Sequence, residues 1–114
     1  MTITEDFMKL FRQGWYIMDE IEKIALDLTD CKYIRDFHER IRIAFDFPEW
    51  YGRNLDAFWD LMTEPRFFKV TIIGSETMAK DLQEYFVKII QILEDVKEEQ
   101  KRYGCFFEYE ILSW

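Results

Sequence analysis

The sequence predicts an α/β fold in which a small three-stranded parallel sheet packs on helices, with an extra segment at the N-terminus. Three observations predict it. Residues 22–30, 67–73 and 106–112 are short runs of strand character bounded by turn residues. Amphipathic helical periodicity fills the intervals between them. Strands that alternate with helices need crossover connections, and crossovers of that kind build parallel sheets. The order of the strands in the sheet is left open by this pattern.

The elements follow in order. Residues 1–21 form an N-terminal extension, and residues 22–114 form the domain proper. In the extension, Phe7, Leu10 and Phe11 fall at helical spacing, so residues 5–13 read as a short helix ended by Gly14. The apolar run Trp15, Tyr16, Ile17 and Met18 either packs on the domain edge or adds a strand, because four exposed large apolar residues are a liability. Residues 22–30 alternate, with Ile24, Leu26 and Leu28 on one side and Ala25 and Asp27 on the other, which is the first strand.

From residue 33 to 45 the period changes. Ile34, Phe37, Ile41, Ala44 and Phe45 line one face of a helix, which ends before Pro48. A second helix covers residues 55–63 and stops at Pro65. Residues 67–73 are the second strand, closed by Gly74. Ser75 is a candidate N-cap, with Met78 rather than Glu three residues on, so the capping box is incomplete. Leu82, Phe86, Ile89, Leu93 and Val96 then form a stripe that reads as core rather than as a coiled coil, since it covers too few heptads. No Gly or Pro interrupts residues 75–103, so this stretch runs either as one helix or as a short helix followed by a longer one. Gly104 stops it, and Lys101 and Arg102 suit the negative helix end. Residues 106–112 are the third strand.

Composition bounds the function. A chain of 114 residues, 49% hydrophobic and 18% aromatic, builds one compact domain. It has no apolar run long enough to span a membrane, and its first residues lack the basic-then-apolar layout of a signal peptide. Cys31 and Cys105 show no metal or redox spacing, which suits free thiols in a reducing cytoplasm. The net charge is −8, and residues 46–64 hold five acids (Asp46, Glu49, Asp56, Asp60, Glu64) against one base, Arg53. Such a balance repels phosphates and excludes nucleic acid as a partner, whereas it suits a basic protein.

That acidic segment is also the most patterned part of the chain. Asn54 is placed to cap a helix, Asp56 falls in its first turn, and Gly52 is the expected left-handed or tight-turn position before it. Leu55, Phe58, Leu61 and Met62 share the core side of the helix. Asp56, Asp60 and Thr63 share the opposite stripe at i, i+4 and i+7, with Trp59 on the border. A solvated face with scattered charge is the plain reading. An acid pair between Trp59 and the preceding Trp50 and Tyr51 points instead to a binding face.

Catalytic constellations are absent from the pattern. His38 is the only histidine and reads as a packing or capping residue. No Ser or Cys has a paired His, four glycines make no phosphate-cradling loop, and Asp56 with Asp60 lack a third metal ligand. The expectation is a protein that is not an enzyme and that uses no cofactor and no metal. A carboxylate-based hydrolase using Asp56 and Asp60 is the enzymatic alternative.

The stretch PEWYGRNLDAFWDLMT resembles the signature of the barstar family, intracellular inhibitors of barnase-type ribonucleases. From Pro48 to Asp60 the chain matches every specified position of the pattern Pro-Glu-aromatic-Tyr-Gly-x-Asn-Leu-Asp-Ala-hydrophobic-Trp-Asp. Asp36-Phe37-His38 upstream and Gly104-Cys105 downstream extend the likeness to about residues 23–112, whereas residues 1–21 have no counterpart. The resemblance implies a barstar-like three-stranded parallel sheet on helices and an immunity-type role in a bacterial cytoplasm. The implied partner is a basic extracellular ribonuclease whose phosphate sites are filled by the helix carboxylates. It gives Asp60 the central place in the enzyme's phosphate pocket, and Asp56 a basic group nearby. Trp50 stands where the family has a tyrosine that packs on the enzyme's catalytic histidine. Trp59 and Thr63 line the same face, and Glu99 matches a family glutamate that contacts the enzyme. One departure stands out: Glu64-Pro65 replaces the family's Gly-Trp loop, which suggests a different target contour. A barstar-like interaction module with a non-ribonuclease target is therefore the alternative reading.

Overall fold

The computed structural model describes residues 21–112, so the expectations for residues 5–18 lie outside the described residues. The chain runs β1 (Glu22–Asp27), α1 (Ile34–Phe45), α2 (Leu55–Met62), β2 (Phe67–Ile73), a 3-10 turn (Ser75–Thr77), α3 (Lys80–Arg102) and β3 (Phe106–Ile111). The three strands form one sheet in the order β1-β2-β3, parallel throughout. The α/β class and the parallel sheet expected from the pattern are both present.

The alternation of each strand sets its faces. Ile24, Val70 and Tyr109 stand side by side across the sheet, as do Leu26, Ile72 and Ile111. These rows face the helices, with Phe68 and Phe107 tilted against each other at 4.7 Å. The opposite face carries Lys69 and Glu110, paired across β2 and β3 at 3.4 Å. Phe37, Ile41 and Phe45 of α1, Phe58 and Met62 of α2, and Leu82, Phe86, Ile89, Leu93 and Val96 of α3 complete the buried core. The stripe on α3 is core, as its spacing predicted.

The first strand is shorter than residues 22–30. It ends at Asp27, whose carboxylate accepts from the Thr29 amide at 2.9 Å and folds the chain into a turn. Leu28 is nonetheless buried, and its amide still bonds Ile73. The last strand likewise closes at Ile111 rather than residue 112.

Residues 75–103 are not one helix. Met78 and Ala79 are extended, separating the 3-10 turn from a 23-residue α3. The cause is tertiary. The Ala79 amide donates to the Cys31 carbonyl at 3.1 Å, and the Asp30 amide donates to the Thr77 hydroxyl at 2.7 Å. The chain is thus pinned to the β1–α1 loop where a helix would otherwise continue. Ser75 is no cap: Gly74 precedes the 3-10 turn and Ala79 precedes α3, neither with a side-chain cap bond.

At the far end α3 closes as expected. Gly104 is left-handed at φ 73°. Its amide reaches Lys101, and that of Cys105 reaches Gln100, so two orphan carbonyls are satisfied. Asp46 plays the same part after α1, with its own amide on Ile43 and that of Phe47 on Arg42.

Candidate functional site

The loop between α1 and α2 is built around a turn at Pro48, whose carbonyl accepts from the Tyr51 amide at 3.0 Å. Tyr51 points inward and is buried, while Trp50 beside it is 76% exposed. The Tyr51 hydroxyl lies 2.6 Å from His38 Nδ1, and the Tyr85 hydroxyl lies 2.6 Å from His38 Nε2. A neutral imidazole serves both, donating to one hydroxyl and accepting from the other. Burial, with the nearby Arg53 charge, pulls the His38 pKa down to about 4. His38 is therefore a neutral packing residue that joins loop, α1 and α3, as its sequence setting suggested.

The left-handed position before α2 is Arg53, at φ 55°, not Gly52. Gly52 serves close approach instead: a Cβ there would come within 3.2 Å of the Ala57 Cβ. Asn54 caps α2, its Oδ1 accepting from the Ala57 amide at 2.7 Å. Asp56 sits in the first turn as expected. Leu55, Phe58, Leu61 and Met62 turn inward, with Phe58 and Met62 fully covered, and Trp59 is half-buried against the core.

Asp56 and Asp60 are exposed on the opposite side, and among the described residues neither carboxylate has an ion-pair partner. Asp30, Asp46 and Glu64 likewise make no ion pair among the described residues, so what sets Asp56 and Asp60 apart is their shared place on one exposed stripe of a short, capped helix. Thr63 closes the helix; its hydroxyl donates to the Trp59 carbonyl at 2.7 Å and is half-buried. The hydroxyl is thus engaged by its own helix. Glu64 and Pro65 follow, both exposed.

Glu99 lies on α3. It pairs with Arg102 at 3.2 Å and accepts from the Tyr103 hydroxyl at 3.3 Å. Its neighbour Gln100 is fully buried and reaches the end of α2, with Nε2 donating to the carbonyls of Met62 at 2.9 Å and Glu64 at 2.8 Å. Gln100 thereby ties the part of α3 that carries Glu99 to the end of the acidic helix. Gln100 escaped the sequence reading, although it falls four residues after Val96 on the core stripe.

A second cluster was also missed. Glu39 on α1 accepts from Arg42 at 3.0 and 2.7 Å and from Arg53 at 3.1 and 2.7 Å. These two guanidinium groups hold its carboxyl down at about 2. Arg53 also donates to the Tyr51 carbonyl at 2.9 Å. The only sequence signal was Arg53 itself, the lone base in an acidic segment. No group of acids, His and Cys suited to a metal ion occurs among the described residues, and no described helix is long and apolar enough to cross a membrane.

Comparison with known proteins matches residues 21–111 to the family described as Barstar (barnase inhibitor). A Bacillus subtilis (strain 168) protein described as "Putative ribonuclease inhibitor YrdF" is 31% identical over 83 residues, which is 71% of this chain and 91% of that protein.

Proposed function

This chain belongs to the barstar family, and from that premise we propose that it inhibits a basic ribonuclease of the barnase type by placing α2 in the enzyme's active site. The observation that carries the proposal is the pair of exposed, unpaired carboxylates of Asp56 and Asp60 on a capped helix flanked by Trp50 and Trp59. A ribonuclease active site is lined with cationic groups that hold substrate phosphates. Carboxylates fixed on a helix meet those groups as charge-assisted, often bidentate hydrogen bonds. Asp60 takes the phosphate pocket and Asp56 a neighbouring base. Trp50 stacks on the rim, Trp59 and Thr63 shape the face between them, and Glu99 adds a contact from α3. No catalytic step is assigned to this chain. The partner is secreted and the inhibitor stays in the cytoplasm, where the N-terminal extension 1–21 accompanies the barstar-like domain 22–114.

The test is inhibition of a barnase-type ribonuclease by the full chain, with Asp60→Ala alongside. Stoichiometric inhibition by the wild type and its loss in the variant is the expected result. Equal inhibition by both removes Asp60 from the site. Exposed Glu64 and Pro65, where the family has Gly-Trp, favour one second reading, a family member with a different basic protein target. That reading predicts no inhibition of such a ribonuclease together with retained fold.

A further inference from the structure

Arg53 presents a contradiction on an electrostatic reading. It is the only base among residues 46–64, directly before the acidic helix, in a protein proposed to meet a basic partner. Its backbone is left-handed at φ 55°, a conformation that disfavours any residue with a Cβ other than Asn or Asp. The side chain resolves the contradiction. Nε and Nη2 grip the Glu39 carboxylate at 3.1 and 2.7 Å, and Nη1 returns to the Tyr51 carbonyl at 2.9 Å. Glu39 also holds Arg42, and Arg42 lies 3.7 Å from Glu49, so two acids offset two bases and no net positive charge remains at the cluster.

We propose that the Arg53–Glu39 pair positions the partner-binding loop: it clamps residues 50–54 to α1 so that Trp50 and the N-terminus of α2 are held ready for the partner. The loop is fixed to α1 by two adjacent residues, His38 through the Tyr51 hydroxyl and Glu39 through the Arg53 fork. The exposed Trp50 directly precedes the first of these anchors, Tyr51, and has no bonded partner among the described residues, so its place depends on the backbone that the anchored Tyr51 and the Pro48 turn set beside it. Two donors of one planar guanidinium converging on Glu39 Oε1 fix orientation as well as distance, which a lysine at the same position would not do. The inference rests on the function proposed above for its partner but not for its first readout.

Arg53→Asn is the variant of choice, because asparagine tolerates the left-handed backbone while removing the fork. In the free protein, amide hydrogen exchange at Tyr51 should accelerate about tenfold, with the amides of β2 and the thermal midpoint unchanged. Unaltered exchange at Tyr51 overturns the proposal. Against a barnase-type ribonuclease the two explanations of Arg53 differ in sign. Loss of a positive charge alone raises the association rate roughly two- to threefold and tightens binding. Loss of the clamp raises the dissociation rate by about tenfold and weakens binding. Glu39→Gln should reproduce the faster dissociation and add nothing to Arg53→Asn in the double variant. Tighter binding by Arg53→Asn with unchanged dissociation overturns the proposal. A wild type that does not bind any such ribonuclease overturns the partner assignment, and the exchange measurement then decides the clamp by itself.

Discussion

Gln100 holds the end of the acidic helix: its Nε2 lies 2.9 Å from the Met62 carbonyl, across 38 residues of sequence. The same nitrogen bonds Glu64, and Oε1 accepts from the Arg66 amide at 3.2 Å. One buried amide thus satisfies three backbone groups where α2 turns into β2. Gln100→Leu keeps the volume and the core stripe but leaves the buried Met62 carbonyl and the part-buried Glu64 carbonyl and Arg66 amide without this partner. The expected loss is about 2–3 kcal/mol, since an unsatisfied buried group costs about 1–3 kcal/mol. Urea unfolding at constant m-value measures it, and a loss under about 0.5 kcal/mol contradicts the account.

His38 makes stability depend on pH in a defined window. Its pKa falls from the ordinary 6.5 to about 4 in the folded chain, chiefly through burial. Between those values the unfolded chain binds the proton and the folded chain does not. The contribution is therefore fully present above about pH 6.5 and lost progressively as the pH falls to about 4. A depression of that size corresponds to roughly 3 kcal/mol. Denaturation at pH 7 and pH 5 should show the wild type losing stability on acidification. His38→Gln, which cannot charge, should be less stable at pH 7 but flatter between the two. Parallel slopes for the two proteins would assign the pH dependence to carboxylates instead.

Much of this architecture was legible because its causes are local. The strand faces at Ile24, Leu26, Val70 and Ile72 follow from two-residue alternation, and the faces of α2 follow from helical rotation after the Asn54 cap. Where the reading stayed open or erred, the decisive contact was distant or depended on backbone state. Residues 75–103 could be one helix or two by pattern, and the Cys31 carbonyl, 48 positions upstream of Ala79, decides for a short turn and a separate helix. Gly52 and Arg53 compete for one left-handed position, and glycine was the natural choice by propensity. The fork to Glu39 favours Arg53 there, and only the approach of α1 supplies it. The pairing of Glu99 with Arg102 and Tyr103 was within reach, being i+3 and i+4 on one helix.

Cys31 should be chemically silent. It is fully buried, its Sγ lies 3.4 Å from the Asp36 carboxylate, and burial followed by that neighbour raises its pKa to about 11. Little thiolate exists near neutral pH, and the thiolate is the reactive form. Aromatic disulfide reagents at pH 8 should leave Cys31 untouched in the native protein and modify it only on unfolding. Fast labelling of Cys31, located by mass spectrometry, would show that the β1–α1 loop opens locally.

The acidic helix should be more stable without the carboxylate proposed to meet the partner. Asp60 lies in the last turn of α2, which contains no base, so its charge meets the negative end of the helix dipole. Asp56 lies one turn earlier on the same stripe and repels it. No cation among the described residues offsets either effect. Asp60→Asn keeps the shape and removes the charge, so the free protein should gain a few tenths of a kcal/mol, most visibly at low salt. Binding to a basic ribonuclease should weaken by about 2–5 kcal/mol, a range set partly by inhibitors of this family, because a cationic pocket is left without its anion. Asp56→Asn should differ in the free protein: that carboxylate sits in the first turn, where the dipole favours it, and its loss offsets the relief of repulsion. Thermal unfolding of both variants with affinities measured in parallel separates the cases. A destabilised Asp60→Asn would mean that the carboxylate supports the fold rather than standing on α2 for a partner.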